Sequence, residues 1–276
     1  MNSVALVKYE ESLEQSVTKG LDFIDGLGQL KSPVLIKPNI CTISDNTGHS
    51  VTHASLVEAI IRLVLKTDDS LSIRVVETDS QSKFAEEAYQ RFGYAVLEDT
   101  MRAEGFDVSL VNLSRSPLKQ ITFDGLYFKD PELPDLLAKE NSFISVAVAK
   151  THYLTTLTGS LKNQFGLLPR KDQAFYHRKI GDVIVDLNRI VQPDLCVIDA
   201  RVGVEGWNGP KTREIGAFIL GKKPVSVDAA MAQVMGFKPE EVPHILASSK
   251  YNLGVLDPEI IGESVDSLKA KFKVPK

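Results

Sequence analysis

The 276-residue sequence predicts an α/β protein, with a mainly parallel sheet flanked by helices and a short antiparallel excursion near residues 108–127. Three observations predict it. Short apolar runs alternate with stretches whose apolar residues recur every three or four positions, the βαβα order of a parallel sheet covered by helices. The runs are rich in Val and Ile, as strands buried on both faces require. Polar residues gather where several of these runs stop, the pattern expected at the carboxyl edge of such a sheet.

Taken in order, Val4–Val7 is the first strand, and Leu13, Val17, Leu21, Ile24 and Leu27 form one buried helix face. Pro33–Ile36 is the next strand, followed by a helix marked by Leu56, Ile60, Ile61 and Val64. Ile73–Val76 is the third strand, and Phe84–Phe92 and Ala95–Glu104 are helices. The rhythm then changes. Leu110–Leu113, Leu118–Phe123 and Gly125–Tyr127 read as short strands joined by tight turns, hence the antiparallel excursion within Val108–Tyr127. A short helix at Leu133–Lys139 leads to a strong strand at Phe143–Val148. Helices at Leu157–Phe165 and Ile180–Val191 follow, then a strand at Leu195–Ile198. Ile215–Leu220 and Ile260–Ile261 are later strands, and Val227–Met235 and Val242–Ala247 later helices. The chain reads as one unit over 1–276, with a lobe boundary left open at 126–141.

Composition narrows the function. The formal charge is −4, with 43% hydrophobic and 25% charged residues. That argues against the broad basic footprint of a nucleic-acid binder, while local basic clusters remain free to hold a small anion. Cys41 and Cys196 stand far apart. They exclude a Cys-ligated zinc knuckle or an iron–sulfur cluster bound by this chain alone, and they give no disulfide framework. No signal-peptide core and no apolar run near the ~20 residues of a membrane span is present, so the expected address is the cytoplasm, with no membrane partner. No G-x-G-x-x-G follows the first strand, and neither a P-loop nor a G-x-S-x-G elbow occurs, which disfavours a nicotinamide dehydrogenase, a P-loop ATPase and a serine hydrolase.

Four strand ends carry the candidate site. Lys37-Pro38-Asn39, Glu77-Thr78-Asp79-Ser80, Lys150-Thr151-His152, and Asp199 followed by Glu205-Gly206 are expected at one end of the sheet. Each alone reads equally well as a solvated turn. Thr155, Thr156 and Thr158 open the helix expected at Leu157–Phe165, a start suited to anions through its hydroxyls and free N–H groups. On that helix Gly159, Lys162, Asn163 and Gly166 share one face, which suits close ligand approach or, alternatively, tight packing on the sheet. His152 and His177 bracket it. The 14-residue loop Asn39–Thr52, with Cys41, and the loop Glu205-Gly206-Trp207-Asn208-Gly209-Pro210 are further candidates for ligand contact.

These motifs resemble the domain-of-unknown-function 362 family. The matching pieces are Val34–Asn39, Lys150-Thr151-His152, Thr158–Asn163 with Gly166, His177, Asp199, Glu205-Gly206 with Gly209-Pro210, and Val227-Asp228. Many relatives of that family are similar to fusions with a cysteine-rich ferredoxin-like segment. This chain has none, so the resemblance implies a separate ferredoxin-type partner for any electron-transfer role. The order His152, Gly159, Lys162, His177 is also similar, more distantly, to the active-site run of the nickel-pincer lactate racemases. That resemblance implies His152 as acid/base, Lys162 as cofactor or substrate anchor, and His177 as metal ligand or second base. It departs where the racemases' early aspartate–arginine signature is replaced by Lys37-Pro38-Asn39.

The expectation is therefore a small-anion (carboxylate or phosphate) site, worked by acid/base histidines and a lysine. His152, Lys162 and His177 are the catalytic candidates. Lys37, Asn39, Thr155, Thr156, Thr158, Gly159, Asn163, Glu205 and Gly206 are the ligand-binding candidates. A divalent metal with His177, Glu77 or Asp199 as candidate ligands is a further candidate, the cofactor otherwise being unknown. The alternatives are a non-catalytic carrier of a ligand or metal, and an accessory protein to a ferredoxin-type partner.

Overall fold

A computed structural model describes residues 2–209 and 211–274. Strands alternating with helices build most of its main sheet. They begin with β1 (Val4–Lys8), α1 (Leu13–Asp22), β2 (Val34–Pro38), α2 (Ala54–Thr67), β3 (Ile73–Glu77), α3 (Ala85–Arg91), α4 (Tyr94–Ala103) and β4 (Val108–Asn112). Then come β5 (Leu118–Gln120), β6 (Glu132–Pro134), α5 (Asp135–Ala138), β7 (Ser142–His152), β8 (Thr156–Thr158), α6 (Ser160–Asn163) and α7 (Ile180–Ile190). The chain finishes with β9 (Leu195–Glu205), β10 (Lys211–Gly221), α8 (Pro224–Val234), α9 (Pro243–Ser248), β11 (Ile260–Gly262) and α10 (Val265–Leu268).

The strands order as β11-β1-β10-β9-β7-β2-β3-β4, with β8 folded back on β7. Only β10 and β8 run against the rest. The mainly parallel sheet is therefore present, and it continues on both sides of the 126–141 segment. Strand residues alternate between its two faces. Ala5, Val7, Leu195 and Val197 enter the core under α1–α4, while Val4, Leu6, Cys196 and Ile198 enter the core under α6–α9. Every residue of β7 is buried. Two covered faces explain why the central strands read as unbroken apolar runs.

Four local expectations are corrected. Leu110–Leu113 largely belongs to β4, which pairs in parallel with β3 as an edge of the main sheet. The antiparallel excursion is the β5–β6 pair, so its second strand lies past Tyr127. The first helix stops at Asp22 rather than Leu27, because Asp25 and Gly26 turn the chain with positive φ. The helix expected over Leu157–Phe165 begins as strand β8, becomes four residues of α-helix, and ends in a 3₁₀ turn over Gln164–Leu167.

Candidate functional site

Beyond the carboxyl ends of β2, β3 and β7 lies a cavity of about 230 Å³. Parallel strands deliver their last residues to one edge, so Lys37, Glu77, Lys150 and His152 all line it. Lys162, Asn163, Gly166 and His177 enter from the segments after β8. Cys41 and Trp207 come from the two long loops.

One side of the cavity is closed by paired charge. Lys37 Nζ donates to Glu77 Oε2 at 2.8 Å and to the Pro38 carbonyl at 2.6 Å. Lys83 Nζ lies 3.4 Å from Glu77 Oε1 and donates to the Thr78 carbonyl. Backbone N–H groups of Ile40 and Thr78 donate to the same carboxylate. Glu77 thus serves two buried lysines, as a buried carboxylate must be served. Burial pulls the Lys37 ammonium below the ordinary lysine range, against the opposing effect of Glu77. Gly166 packs directly over this pair; a Cβ there would sit 3.1 Å from Lys37 Nζ and 3.2 Å from Glu77 Oε1.

The other side is different. Lys150, only 1% exposed, donates to Asn39 Oδ1 at 2.6 Å, to the Ser50 carbonyl at 2.9 Å and to Cys41 Sγ at 3.4 Å. None of these partners is a carboxylate. Lys162, half-buried, has no ion-pair or hydrogen-bond partner among the described residues, and its Nζ stands 5.4 Å from the Phe165 ring centre. Burial, reinforced by the nearby Lys150 charge, lowers the Lys162 ammonium to about 8. The cavity lining holds four lysines and one carboxylate, an excess of three positive charges in a chain whose formal charge is −4.

The histidines are both held toward neutrality. Burial first, then Lys162 and Lys150, pushes His152 far below the usual histidine range. The Leu154 N–H donates to His152 Nδ1 at 3.1 Å. Only an unprotonated nitrogen accepts such a bond, so the proton sits on Nε2, which remains available as a donor. Burial and Lys162 also lower His177. His177 is half-buried, its ring centre 6.2 Å from that of Phe165.

The remaining predicted residues take structural places. Asn39 and Asn163 form a scaffold beneath the lysines. Asn39 Nδ2 donates to Asn163 Oδ1, and Asn163 Nδ2 donates to the Lys37 carbonyl and Ser145 Oγ. Thr158 lines the cavity, and its buried hydroxyl has no hydrogen-bond partner among the described residues. Thr155 and Thr156 do not line it; Thr155 Oγ1 donates to the Leu157 carbonyl, and Thr156 sits at φ 66°. Gly159 faces away from Lys162, toward Asp228, whose carboxylate would lie 2.4 Å from an added Cβ.

This Asp228 corrects the expectation of a free anion site at the helix start. It accepts the Ser160 and Leu161 N–H groups at 2.7 and 3.0 Å, so the positive end of α6 is already filled by a side chain of α8. Burial raises the Asp228 carboxyl to about 7 against those two bonds.

The expected metal set does not assemble either. Glu77 is fully engaged by lysines and backbone, and Asp199 sits mid-strand in β9, held by Arg201 at 2.7–3.0 Å and outside the cavity lining. Among the described residues no three His, Cys, Asp or Glu side chains gather in ligand geometry. His177, Glu77 and Asp199 therefore do not form a joint divalent-metal site. Glu205 bonds Arg213 and the Lys273 N–H, and Gly206 N–H bonds Thr151 Oγ1. It is Trp207, the next residue, that reaches the cavity, where its carbonyl lies 3.3 Å from Cys41 Sγ. Pro210 lies outside the described residues.

Lys150, named in the strand-end motif Lys150-Thr151-His152 but not among the candidate catalytic or ligand-binding residues, lines the cavity. The signal was available: it stands two positions before His152 on a strand, so both point to the same face. No helix among the described residues is long and apolar enough to cross a membrane.

Comparison with known proteins places the chain. It is 24% identical over 271 residues to the thylakoid-associated protein sll1697 of Synechocystis sp., covering 92% of this chain and 80% of that protein. Among solved structures it is similar to the lactate racemase apoprotein of Thermoanaerobacterium thermosaccharolyticum, with TM-score 0.49, 14% identity, and 79% of this chain aligned to 54% of that one. It is also similar to a structural-genomics protein from Thermotoga maritima, with TM-score 0.48, 12% identity, and 88% of this chain aligned to 60% of that one. The chain thus spans little more than half the length of these two structures. The family model described as "Domain of unknown function (DUF362)" matches residues 34–233, and the chain belongs to that family.

Proposed function

We propose that the protein binds a small carboxylate in this cavity and acts on it by proton transfer. One observation carries the reading: Lys150 and Lys162 line the same cavity, wholly and partly buried respectively, with no carboxylate partner among the described residues. Buried cations of this kind are costly unless paired, and an anion placed between them relieves both. Lys150 supplies an amine held in place by Asn39 and the Ser50 carbonyl. Lys162 supplies a charge that titrates near neutrality. His152 offers Nε2–H to a ligand oxygen, and His177, held neutral, accepts a proton.

The test is calorimetric titration with simple carboxylates and with inorganic phosphate. Carboxylate binding that disappears in Lys150→Met, with the fold retained, supports the reading. Equal binding by wild type and Lys150→Met contradicts it, and binding of phosphate alone moves the substrate class from carboxylates to phosphates.

A further inference from the structure

Lys162 differs from its three neighbours in the cavity. Lys37 and Lys83 are bound to Glu77, and Lys150 is fixed by Asn39 and Ser50. Their nitrogens are committed to donation, and none can turn a lone pair toward a ligand. Lys162 has no such commitment, and it faces the same cavity beside His152 and His177. From this geometry we infer that Lys162 is an amine nucleophile that forms an imine with a 2-oxo acid. The inference rests on the carboxylate site proposed above and adds the carbonyl that the substrate must carry.

The physical case has three parts. An amine attacks only when neutral, and a lysine is made neutral by desolvation or by an adjacent cation. Both act here. With the ammonium lowered to about 8, about a tenth of the side chain is free amine at pH 7, roughly 300 times the fraction for an ordinary lysine. Next, the substrate needs an attraction that does not come from the nucleophile, and Lys150, whose three N–H groups already donate to Asn39, Ser50 and Cys41, supplies positive charge at a separate atom. Finally, the oxygen that gains charge during attack needs a donor, and the tautomer of His152 presents Nε2–H.

The step balances. The Lys162 Nζ lone pair forms the C–N bond as the carbonyl π pair moves to oxygen. Loss of that oxygen with the two amine protons, as water, leaves C=N. His177, neutral, relays a proton from nitrogen toward oxygen without being consumed. No oxidant or metal enters. Protonated at nitrogen, the imine draws electrons from C3 of the acid, which makes proton removal at that carbon feasible.

The experiment uses the intact protein, pyruvate and sodium cyanoborohydride, read by intact mass and peptide mapping. The expected result is one adduct, heavier than the protein by the acid less one oxygen atom, mapped to Lys162 and forming at least about a hundredfold faster than adducts on exposed lysines. Lys162→Arg keeps charge and bulk and should show no adduct. Wild-type mapping alone overturns the inference if no adduct forms, or if it falls on other lysines. Titration with lactate, the same acid with its carbonyl reduced, separates the two claims. Lysine-dependent binding of lactate and pyruvate without trapping removes the imine and leaves the carboxylate site. Binding of neither removes both.

Discussion

The two sides of one cavity use the same residue type for opposite ends. On the β3 side, Lys37 and Lys83 share Glu77, and every polar atom of that carboxylate is occupied by a cation or a backbone N–H. On the β7 side, Lys150 donates to Asn39 and the Ser50 carbonyl and Lys162 has no hydrogen-bond partner, and neither meets a carboxylate among the described residues. The first arrangement is complete as it stands and stiffens the end of the sheet. The second has positive charge with nothing built to answer it. The difference teaches that a lysine's role in a pocket follows from its counter-charge, not from its presence in the lining.

Mutations on the two sides should therefore fail in different ways. The largest effect belongs to Glu77→Gln, which strands two buried ammonium groups. It should cost about 3–5 kcal/mol in denaturant unfolding, and a loss below about 1 kcal/mol would erase the contrast. Gly159→Ala comes next. Its Cβ would press on the Asp228 carboxylate at 2.4 Å and on Met231 at 2.8 Å, costing about 1–3 kcal/mol. On the other side, Lys150→Met removes a buried cation but takes the donor from Asn39 Oδ1 and the Ser50 carbonyl, and should cost no more than about 1–3 kcal/mol. It should also weaken carboxylate binding by at least about tenfold, or ~1.4 kcal/mol. Lys162→Ala should spare the melt and remove binding, because no large apolar volume is lost. Unfolding of Lys162→Ala without an effect on binding would make it a packing residue.

The smallest expected effect sharpens the same contrast through pH. The Lys162 ammonium is lowered from the ordinary lysine value to about 8. Above that pH it is neutral in the folded ligand-free protein while still charged in the unfolded chain. Its burial therefore weighs against folding below pH 8, and that penalty is relieved as pH rises from about 8 toward the ordinary lysine value. Carboxylate affinity should run the other way, falling severalfold between pH 7 and 9 as one of two cations discharges. Affinity that is flat across that range would assign all the binding to Lys150.

Much of the fold was legible because the central strands carry a local signal. Val34–Ile36, Ile73–Val76 and Phe143–Val148 are apolar on both faces, and the structure places each where the pattern requires. The stretch after β7 was not legible. Leu157, Leu161 and Phe165 have helical spacing, but three residues pair with β7 first, and tertiary pairing overrides local periodicity there. The anion site expected at that helix start failed for a related reason. Asp228 lies 68 residues beyond Ser160 in sequence, and nothing local announces that its carboxylate fills the helix start. Lys37 and Glu77 were legible as a strand-end pair of residues, but not as an ion pair, since their meeting depends on β2 and β3 lying side by side. The geometry of Asp199 was lost because β9 continues to Glu205 alongside β10, which leaves the aspartate mid-strand with Arg201 rather than at an edge.

The central claim is that Lys150 and Lys162 form a cationic pair awaiting an acid. The most direct measurement is the titration of Lys162 by NMR of side-chain-labelled protein, with Lys162→Arg to assign the signal, in the absence and presence of a saturating carboxylate. The account predicts a midpoint of about 8 in the free protein, moving upward when the carboxylate binds, because the bound anion favours the ammonium. A midpoint at the ordinary lysine value, unmoved by any carboxylate, would contradict it.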